Sequence, residues 1–425
     1  MKSTLKYMPV LAGALALAGG AGVAQAQTTE MNGGGSSAAR NFMTDIPLNL
    51  CDAAPLPSRY ASADNNKITW VCNRGGQPVI MRYSATGSSD GVNKLLQPAN
   101  NAASNMLYLD HGLTTGCTGP NVVTRPSDGK QYNNTTGCAN TNTISLPVHL
   151  GVADVQGASF HQSGPIGTSV SPLDDSTLNS VATAVVPFSI YVGKGVVKLN
   201  AAGNGPDGQI AGVSRLQIEQ IFSRSVTDWT RLGFGTVTDA APGVLEATSP
   251  ITLCLRNAGS GTKAAFDETL MINTTETGLA NASVVFSSST SGVLSCLATN
   301  RRSIGYMDAD QVVSFNPGGA QAGNAYVISV DGGKAYDPSL TDPKRDLKCG
   351  KYAYWSALRM NRRTASEGAG IDALAQAFVD NAGLQATIGI IPTGAYWASD
   401  EEMAVSKNSD KGPLIWKAGA HPECR

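Results

Sequence analysis

The sequence predicts an α/β protein, because short apolar strands alternate along the chain with segments that favour helices. From Ile251 to Arg256 apolar and polar residues alternate, as in a strand with one buried face. Gly259-Ser260-Gly261-Thr262 follows as a turn, and the residues up to Phe266 favour a helix that Ser260 or Thr262 can cap. Residues 78–96 repeat this order of strand, Gly/Ser turn and helix.

The turn after this strand is a candidate binding site for an anion. Arg256 is predicted to lie beside the N-terminus of the following helix, near free N–H groups and the hydroxyls of Ser260 and Thr262. Together with the positive end of the helix dipole, these groups suit a tetrahedral oxyanion. A Ser/Gly surface turn with a solvated arginine explains the same residues equally well.

Three other positions carry polar groups where strands are predicted to end. Gly33-Gly34-Gly35-Ser36-Ser37 is either a flexible linker or a strand-to-helix turn that approaches an anion. The strand Val79–Tyr83 leads to a second turn, where Ser88 or Ser89 is an N-cap candidate. Asp154 follows a short apolar strand and is either a helix cap or an acceptor in a site.

The remaining elements support the same fold class. A capping box at Ser214 and Gln217 predicts a helix start, and Gly383 is a plausible end for a helix with apolar residues at 371, 374, 375 and 378. The further strand candidates are residues 185–192, 303–307 and 325–330.

Composition limits the classes of function. The 425 residues are 42% hydrophobic and 15% charged, which is enough for a large core and two lobes. The formal net charge is −1, and removing Lys2 and Lys6 with a leader makes it −3, so no basic surface indicates nucleic acid binding. C-x-x-C is absent and the four histidines are scattered, so we expect neither a zinc site nor another cofactor.

The N-terminus has the pattern of a secretory signal peptide. Residues 1–26 contain two lysines, an apolar run from Met8 to Ala18 and Ala24-Gln25-Ala26 as a cleavage site, so the mature chain is expected to start at Gln27. The first cysteine is Cys51, which argues against a lipid anchor, and no later segment is predicted to span a bilayer. We therefore expect a periplasmic or secreted protein.

Eight cysteines fit an oxidising compartment. Each bridge could contribute about 2–4 kcal/mol to stability. Residues 97–145, rich in Asn, Thr and Gly, are predicted to be a surface insertion with its own disulfide. Proximity in sequence suggests the pairs Cys51–Cys72, Cys117–Cys138, Cys254–Cys296 and Cys349–Cys424.

Taken together, the motifs resemble the phosphate-binding proteins of ABC transporters, and the start at Met31-Asn32-Gly33 resembles the related secreted DING proteins. The similar segments occur in the same order along most of the mature chain. They are residues 33–37, 87–92, 151–154, 186–188, 221–232, Arg256 with 259–262, 304–306 and 328–332.

This resemblance implies a two-lobed type II periplasmic-binding-protein fold with the ligand cleft between the lobes. Residues 27–190 and 352–425 would form lobe one, which carries the 97–145 insertion, and residues 191–351 would form lobe two. The resemblance also implies a ligand-binding set, namely Ser37, Ala38, Ser88, Asp154, Arg256, Ser260, Gly261 and Thr262.

The function implied is non-enzymatic binding of inorganic phosphate, or of a similar tetrahedral oxyanion, for uptake through an ABC permease. An ionised Asp154 can accept a hydrogen bond from protonated phosphate but would repel sulfate. The chain departs from the family pattern at four points. Ala38 replaces the usual aromatic residue, and Ala258 stands where an Asp often follows the arginine. The insertion between Ser89 and Asp154 is larger than usual, and Val155-Gln156 lacks the customary Pro.

Alternative functions follow from other patterns. Gly87-Ser88-Ser89-Asp90-Gly91 matches G-x-S-x-G, which would make Ser89 the nucleophile of a secreted serine hydrolase. An extracellular surface or assembly protein on the same fold is a third hypothesis. Residues 203–208 match G-x-G-x-x-G, but Pro206 and the lack of a following apolar helix indicate a turn.

Overall fold

The computed structural model describes residues 27–161, 164–165, 168, 170–272, 274–279, 281–419 and 422–424. The predicted signal peptide, residues 1–26 with its cleavage site, and His421 lie outside the described residues. Within these described ranges, no helix has the length and apolar character needed to cross a membrane.

The strands are short, with one exception of 16 residues that passes through the middle of the molecule. In chain order they are β1 Thr29–Gly35, β2 Ser58–Ser62, β3 Lys67–Arg74, β4 Gln77–Ser84, β5 Asn105–Leu109, β6 Thr118–Thr124, β7 Gln131–Cys138, β8 Thr143–Pro147, β9 Leu150–Ala153, β10 Leu178–Gly193, β11 Val196–Leu199, β12 Pro206–Gln209, β13 Gly212–Val213, β14 Phe234–Thr236, β15 Thr252–Arg256, β16 Val284–Ser287, β17 Ser303–Asp308, β18 Ala325–Val330, β19 Trp355–Arg363, β20 Ala398–Ser399, β21 Val405–Ser406 and β22 Ile415–Trp416.

The helices follow strands at several points, as the sequence predicted. They are α1 Arg40–Asp45, α2 Pro47–Leu50, α3 Ser88–Leu96, α4 Arg215–Phe222, α5 Gly261–Thr269, α6 Thr290–Thr299, α7 Arg345–Lys348, α8 Ala369–Gly383 and α9 Gln385–Ile390. The α/β prediction is confirmed.

Two parallel units of sheet are joined by a pair of long antiparallel strands. The first unit contains β9, β1 and β4, and the second contains β16, β15 and β17. Between them, β10 pairs with β19 along its first part and with β17 along its last part, where Phe188 is opposite Asp308. The result is the expected two-lobed arrangement with β10 and β19 as crossing strands, while the residue bounds of the lobes stay a prediction.

Packing on the second unit fixes the start of α5. Leu253 and Leu255 on β15 are fully buried, as their alternation predicted, but Cys254 on the other face is fully buried as well, so the prediction of a single buried face is wrong. Phe266 on α5 stacks on Tyr306 of β17, with ring centroids 4.3 Å apart. This aromatic contact stabilises the packing beyond the effect of the area that both rings bury. It holds α5 against the sheet so that the N-terminus of the helix faces the ends of β15 and β17.

Several local predictions are confirmed. Ser214 and Gln217 form the predicted capping box at the start of α4. The apolar positions of the 371–378 segment lie within α8, which ends at Gly383. The strand predicted at 325–330 is β18.

The insertion is more closely integrated with the fold than a surface loop. Its strand β7 pairs in parallel with β2, and β6 forms the exposed edge of the same sheet. Cys117 and Cys138 form the disulfide predicted for this region. The other three predicted disulfides, Cys51–Cys72, Cys254–Cys296 and Cys349–Cys424, are also present.

Candidate functional site: strand-to-helix turns around Asp154

The glycine run is the buried last part of β1 and leads into the turn at Ser36, so the flexible-linker interpretation is wrong. Gly35 has φ +128°, and a Cβ there would lie 2.2 Å from the carbonyl oxygen of Val152. The next residue, Ser36, is fully buried and its hydroxyl donates to Asp154 Oδ1 while accepting from the Ala39 N–H at 2.9 Å. Tyr83 donates to the Ser36 carbonyl oxygen at 2.6 Å.

The second turn places Ser88 beside the same carboxyl group. The N-cap of α3 is Gly87, at φ 134° and without a side-chain cap, so the prediction of a cap by Ser88 or Ser89 is wrong. Ser88 Oγ instead donates to Asp154 Oδ2 at 3.1 Å and accepts from the Asp154 N–H at 3.3 Å. The reason is that a buried carboxyl without hydrogen-bond donors is strongly destabilised, and Ser88 is within reach of it.

Asp154 follows β9 directly and is 1% exposed. Burial raises its pKa to about 6, and the hydrogen bonds from Ser36 and Ser88 and the charge of Arg256 oppose that rise. The nearest helical turn has Gln156 as its N-cap, so Asp154 caps no helix there. Asp154 accepts hydrogen bonds from Ser36 and Ser88, and its role as an acceptor in a binding site stays a prediction.

Arg256 lies at the end of β15 and is 2% exposed. Its Nη2 donates to Ser37 Oγ at 3.0 Å, and its Nη1 donates to Thr290 Oγ1 at 3.1 Å. Its Nε has no hydrogen-bond partner among the described residues. Burial lowers the pKa of Arg256, and the negative charges of Asp308 and Asp154 oppose this shift. The guanidinium therefore connects the first turn to the second sheet unit.

The N-terminus of α5 completes the site. Ser260 is its N-cap and accepts from the Lys263 N–H at 3.3 Å. Gly261 and Thr262 are in the first turn, where an α-helix leaves its N–H groups without an intrahelical acceptor. The Thr262 hydroxyl is fully buried and has no partner in the described part of the chain.

Gly261 is a point of close approach between the two sheet units. A Cβ at this position would lie 2.4 Å from Ser88 Oγ and 2.6 Å from Asp154 Oδ2. Only a glycine lets the helix end come this near to the carboxyl group. The structure thus brings Gly261, Ser88 and Asp154 together from three distant segments.

All eight predicted site residues lie in these turns. Contacts or near approaches join Ser37 with Arg256 and join Ser88 with Asp154 and Gly261, while Ser260 and Thr262 occupy the same turn as Gly261. Ala38 is buried directly after Ser37, and among the described residues no acceptor contacts its N–H.

Two contributors, Ser36 and Thr290, were not predicted. Ser36 was overlooked because the adjacent Ser37 matched the pattern equally well. Thr290 begins α6 after β16. The same order of strand, serine-rich turn and helix occurs in residues 284–290 and was a usable signal.

The described residues do not form the arrangements that a serine hydrolase, a dinucleotide site or a metal site would need. Ser89 donates its N–H to the Gly259 carbonyl oxygen at 3.1 Å, and none of the three described histidines hydrogen-bonds to its side chain. His149 Nδ1 accepts from the Asn32 N–H, and His161 Nε2 lies 3.0 Å from Glu268. Residues 203–208 lie in the hairpin between β11 and β12. The described residues hold no group of three His, Cys, Asp or Glu side chains suited to a metal ion.

Comparisons with known proteins agree with this architecture. Residues 176–380 match the family model of the PBP superfamily domain. A Clostridium perfringens structure described as a phosphate ABC transporter substrate-binding protein with bound phosphate is 14% identical, with TM-score 0.50, over 87% of this chain and 99% of that one. A search of curated proteins found no match.

Two further structures give lower scores. A high-affinity periplasmic phosphate-binding protein called PfluDING, solved with phosphate, is 13% identical, with TM-score 0.47, over 87% of this chain and 90% of that one. An ABC-type phosphate transport receptor from Vibrio cholerae is 12% identical, with TM-score 0.43, over 86% and 98%.

Proposed function

We propose that this chain, which has the type II periplasmic-binding-protein fold, binds inorganic phosphate between its two lobes and presents it to an ABC permease. In this proposal it is a solute-binding protein and not an enzyme. The observation that carries the proposal is the fully buried carboxyl of Asp154 surrounded by hydroxyls, a helix N-terminus and one arginine.

The surroundings of Asp154 suit a small oxyanion because most of the donors are neutral. A buried anion needs many hydrogen bonds to replace its hydration, and N–H and O–H groups supply them without a large positive charge. Thr262 Oγ1 and Arg256 Nε are buried and unpartnered among the described residues. An anion between the turns would give such groups a partner. The predicted set from Ser37 to Thr262 is therefore our proposed binding site.

Asp154 gives the site its selectivity in this proposal. Phosphate near neutral pH carries at least one proton, which it can donate to the carboxylate, whereas sulfate carries none. A carboxylate facing a fully deprotonated anion is an uncompensated repulsion, and repulsion of this kind is an effective means of discrimination. We expect phosphate to bind and sulfate to bind far more weakly.

The location and the partner follow from the same proposal. Four disulfides fit an oxidising compartment, so we propose that the mature chain acts in the periplasm or is secreted. Residues 27–190 with 352–425 and residues 191–351 are proposed as the lobes that close on the ligand, with β10 and β19 as the crossing strands. The permease would receive phosphate from the closed form.

Calorimetric titration tests this function. The wild type, first freed of bound anions by dialysis, should release or absorb heat with phosphate and show none with sulfate at equal ionic strength. Arg256→Ala should weaken phosphate binding at least about 100-fold, because it removes a charge-assisted donor from a buried site. Arg215→Ala, at the start of α4, is the control and should bind as the wild type does. No phosphate heat from the wild type would refute the proposal.

A further inference from the structure

Two carboxyl groups that the binding proposal leaves without a role lie at the end of β17. Asp308 is the last residue of β17, which runs parallel to β15, and Cys254 is opposite Gly305 in that pairing. Arg256 ends β15, so Arg256 and Asp308 end neighbouring parallel strands. Asp308 is fully buried, and Asp310 is 3% exposed.

The surroundings of Asp308 do not suit an ionised carboxylate. Its Oδ1 has no hydrogen-bond partner among the described residues, and its Oδ2 lies 3.5 Å from Gln311 Nε2. Tyr191 donates to the main-chain oxygen of Asp308 at 2.8 Å and not to its carboxyl group. A buried carboxylate with a single, long hydrogen bond is strongly destabilised relative to its neutral form.

The Asp310 carboxyl has a better hydrogen-bond donor than Asp308 and contacts α1, the helix that follows the first turn. Its Oδ2 accepts from Asn41 Nδ2 of α1 at 3.2 Å, a contact between residues 269 positions apart. This contact and the Arg256–Ser37 hydrogen bond join the same two regions. With the two regions in contact, Asp308 is shielded from solvent.

The charges around Asp308 add to the effect of burial. Burial raises its pKa well above the ordinary range, and Asp310 and Asp154 raise it further, while Arg256 opposes them. Burial also raises the pKa of Asp310, against its hydrogen bonds from Asn41 and Gln311 and the charge of Arg40. The other titratable groups coupled to this pair are Tyr191, Tyr354 and Tyr396.

We propose that closure of the cleft over the bound oxyanion places a proton on Asp308, so that ligand binding takes up a proton from solution. With Asp154, Asp308 and Asp310 all ionised, a phosphate dianion would share the closed site with three carboxylates, and the guanidinium groups of Arg256 and Arg40 would offset only part of that charge. A proton on Asp308 removes one of these charges and supplies an O–H donor. In the open form, water hydrates Asp308 and the group ionises.

The inference rests on the proposed phosphate site and is tested separately from it. Phosphate is titrated calorimetrically at about pH 8.5 in two buffers of different ionisation enthalpy, which counts the protons taken up. If phosphate binding is coupled to the uptake of a proton, the affinity for phosphate must fall as the pH rises. The wild type should take up about one proton more than Asp308→Asn. For each unit by which the pH increases, the Kd of the wild type should therefore rise by up to about tenfold more than the Kd of Asp308→Asn. Any proton taken up by phosphate itself is the same in both proteins and cancels.

A matched control is available at Asp45. This carboxyl is partly buried and its pKa is raised to about 6, mainly by burial, but its charged neighbours are Arg59 and Arg125. Asp45→Asn should keep the proton uptake of the wild type. Equal uptake in the wild type and Asp308→Asn would overturn the inference while leaving the phosphate site intact. Absence of phosphate binding by the wild type would instead refute the proposed function.

A second measurement needs no variant. Infrared difference spectra of the wild type with and without phosphate should show the C=O stretch of a newly protonated carboxyl. If Asp308→Asn fails to fold, this band decides the question: its absence overturns the inference and its appearance supports it.

Discussion

Two helices point their N-termini at the same carboxyl group, yet they use their serines in opposite ways. At α5 the hydroxyl of Ser260 occupies the N-cap and accepts from the helix's own N–H at Lys263. At α3 the N-cap is Gly87, and the hydroxyl of Ser88, one residue further on, donates to Asp154. One serine stabilises its helix, and the other stabilises the acceptor.

The difference shows what decides the role of a serine in such a turn. An N-cap hydroxyl contributes about 1 kcal/mol to a helix, whereas a donor to a buried charged group contributes about 1.5–3 kcal/mol. Where a buried carboxyl is within reach, as at Ser88, the second role is favoured. Similar Gly/Ser sequences therefore have different functions because their neighbours in space differ.

The largest effect is expected where the two helix ends meet. Gly261→Ala would place a methyl group 2.4 Å from Ser88 Oγ and 2.6 Å from Asp154 Oδ2. Because backbone and buried side chains must move to relieve this overlap, phosphate affinity should fall at least about 100-fold, equivalent to about 2.7 kcal/mol. Calorimetry measures the loss.

Gly389→Ala is the matched control for this change. Gly389 is also helical, and a Cβ there meets nothing within 4 Å. Its phosphate affinity should equal that of the wild type. If Gly261→Ala bound phosphate as tightly as this control, the close approach of α5 to Asp154 would have no role in binding.

The next largest effect concerns Asp154, the acceptor to which Ser88 donates, and the dependence of stability on pH. Burial raises the pKa of Asp154 from 3.8 to about 6, so the folded protein binds this proton more tightly than the unfolded chain does. The stability from this group is complete below about pH 4, is lost as the pH rises to about 6, and does not return above that. The shift corresponds to about 3 kcal/mol.

The asparagine side chain in Asp154→Asn carries no charge at any of these pH values, so this variant should not show that loss of stability. Urea unfolding at pH 4 and pH 7 should show the free energy of unfolding falling by up to about 3 kcal/mol more in the wild type than in the variant. Parallel changes in the two proteins would mean that the carboxyl titrates near its ordinary pKa.

The smallest effect distinguishes the two serines directly. Ser260→Ala should lower the free energy of unfolding by about 1 kcal/mol at both pH 4 and pH 7, because the cap does not titrate. Ser88→Ala should lower the free energy of unfolding by about 1.5–3 kcal/mol at pH 7, where Asp154 is ionised, and by much less at pH 4. Urea unfolding of both variants at both pH values checks this. A loss for Ser88→Ala that is independent of pH would contradict the role assigned to its hydroxyl.

Local sequence signals predicted the elements well where short-range chemistry decides them. The alternation at 251–256 predicted β15, and the Ser214–Gln217 pair predicted the capping box of α4. The prediction failed at Ser88 because its hydrogen-bond partner, the buried Asp154, is 66 positions away. The residues next to Ser88 do not reveal that contact. Ser36 and Ser37 have the same side chain, and only their direction from the turn assigns one to Asp154 and the other to Arg256.

The sequence alone determined the fold class, the turns and which residue types the turns offer, since apolar periodicity and capping depend on residues a few positions apart. The tertiary structure alone decided how those groups are used. It brings the ends of β1, β9 and β15 together, so that a carboxyl, its hydroxyl donors and a guanidinium lose their water and must satisfy one another. Their roles thus follow from burial, which no local pattern in the chain specifies.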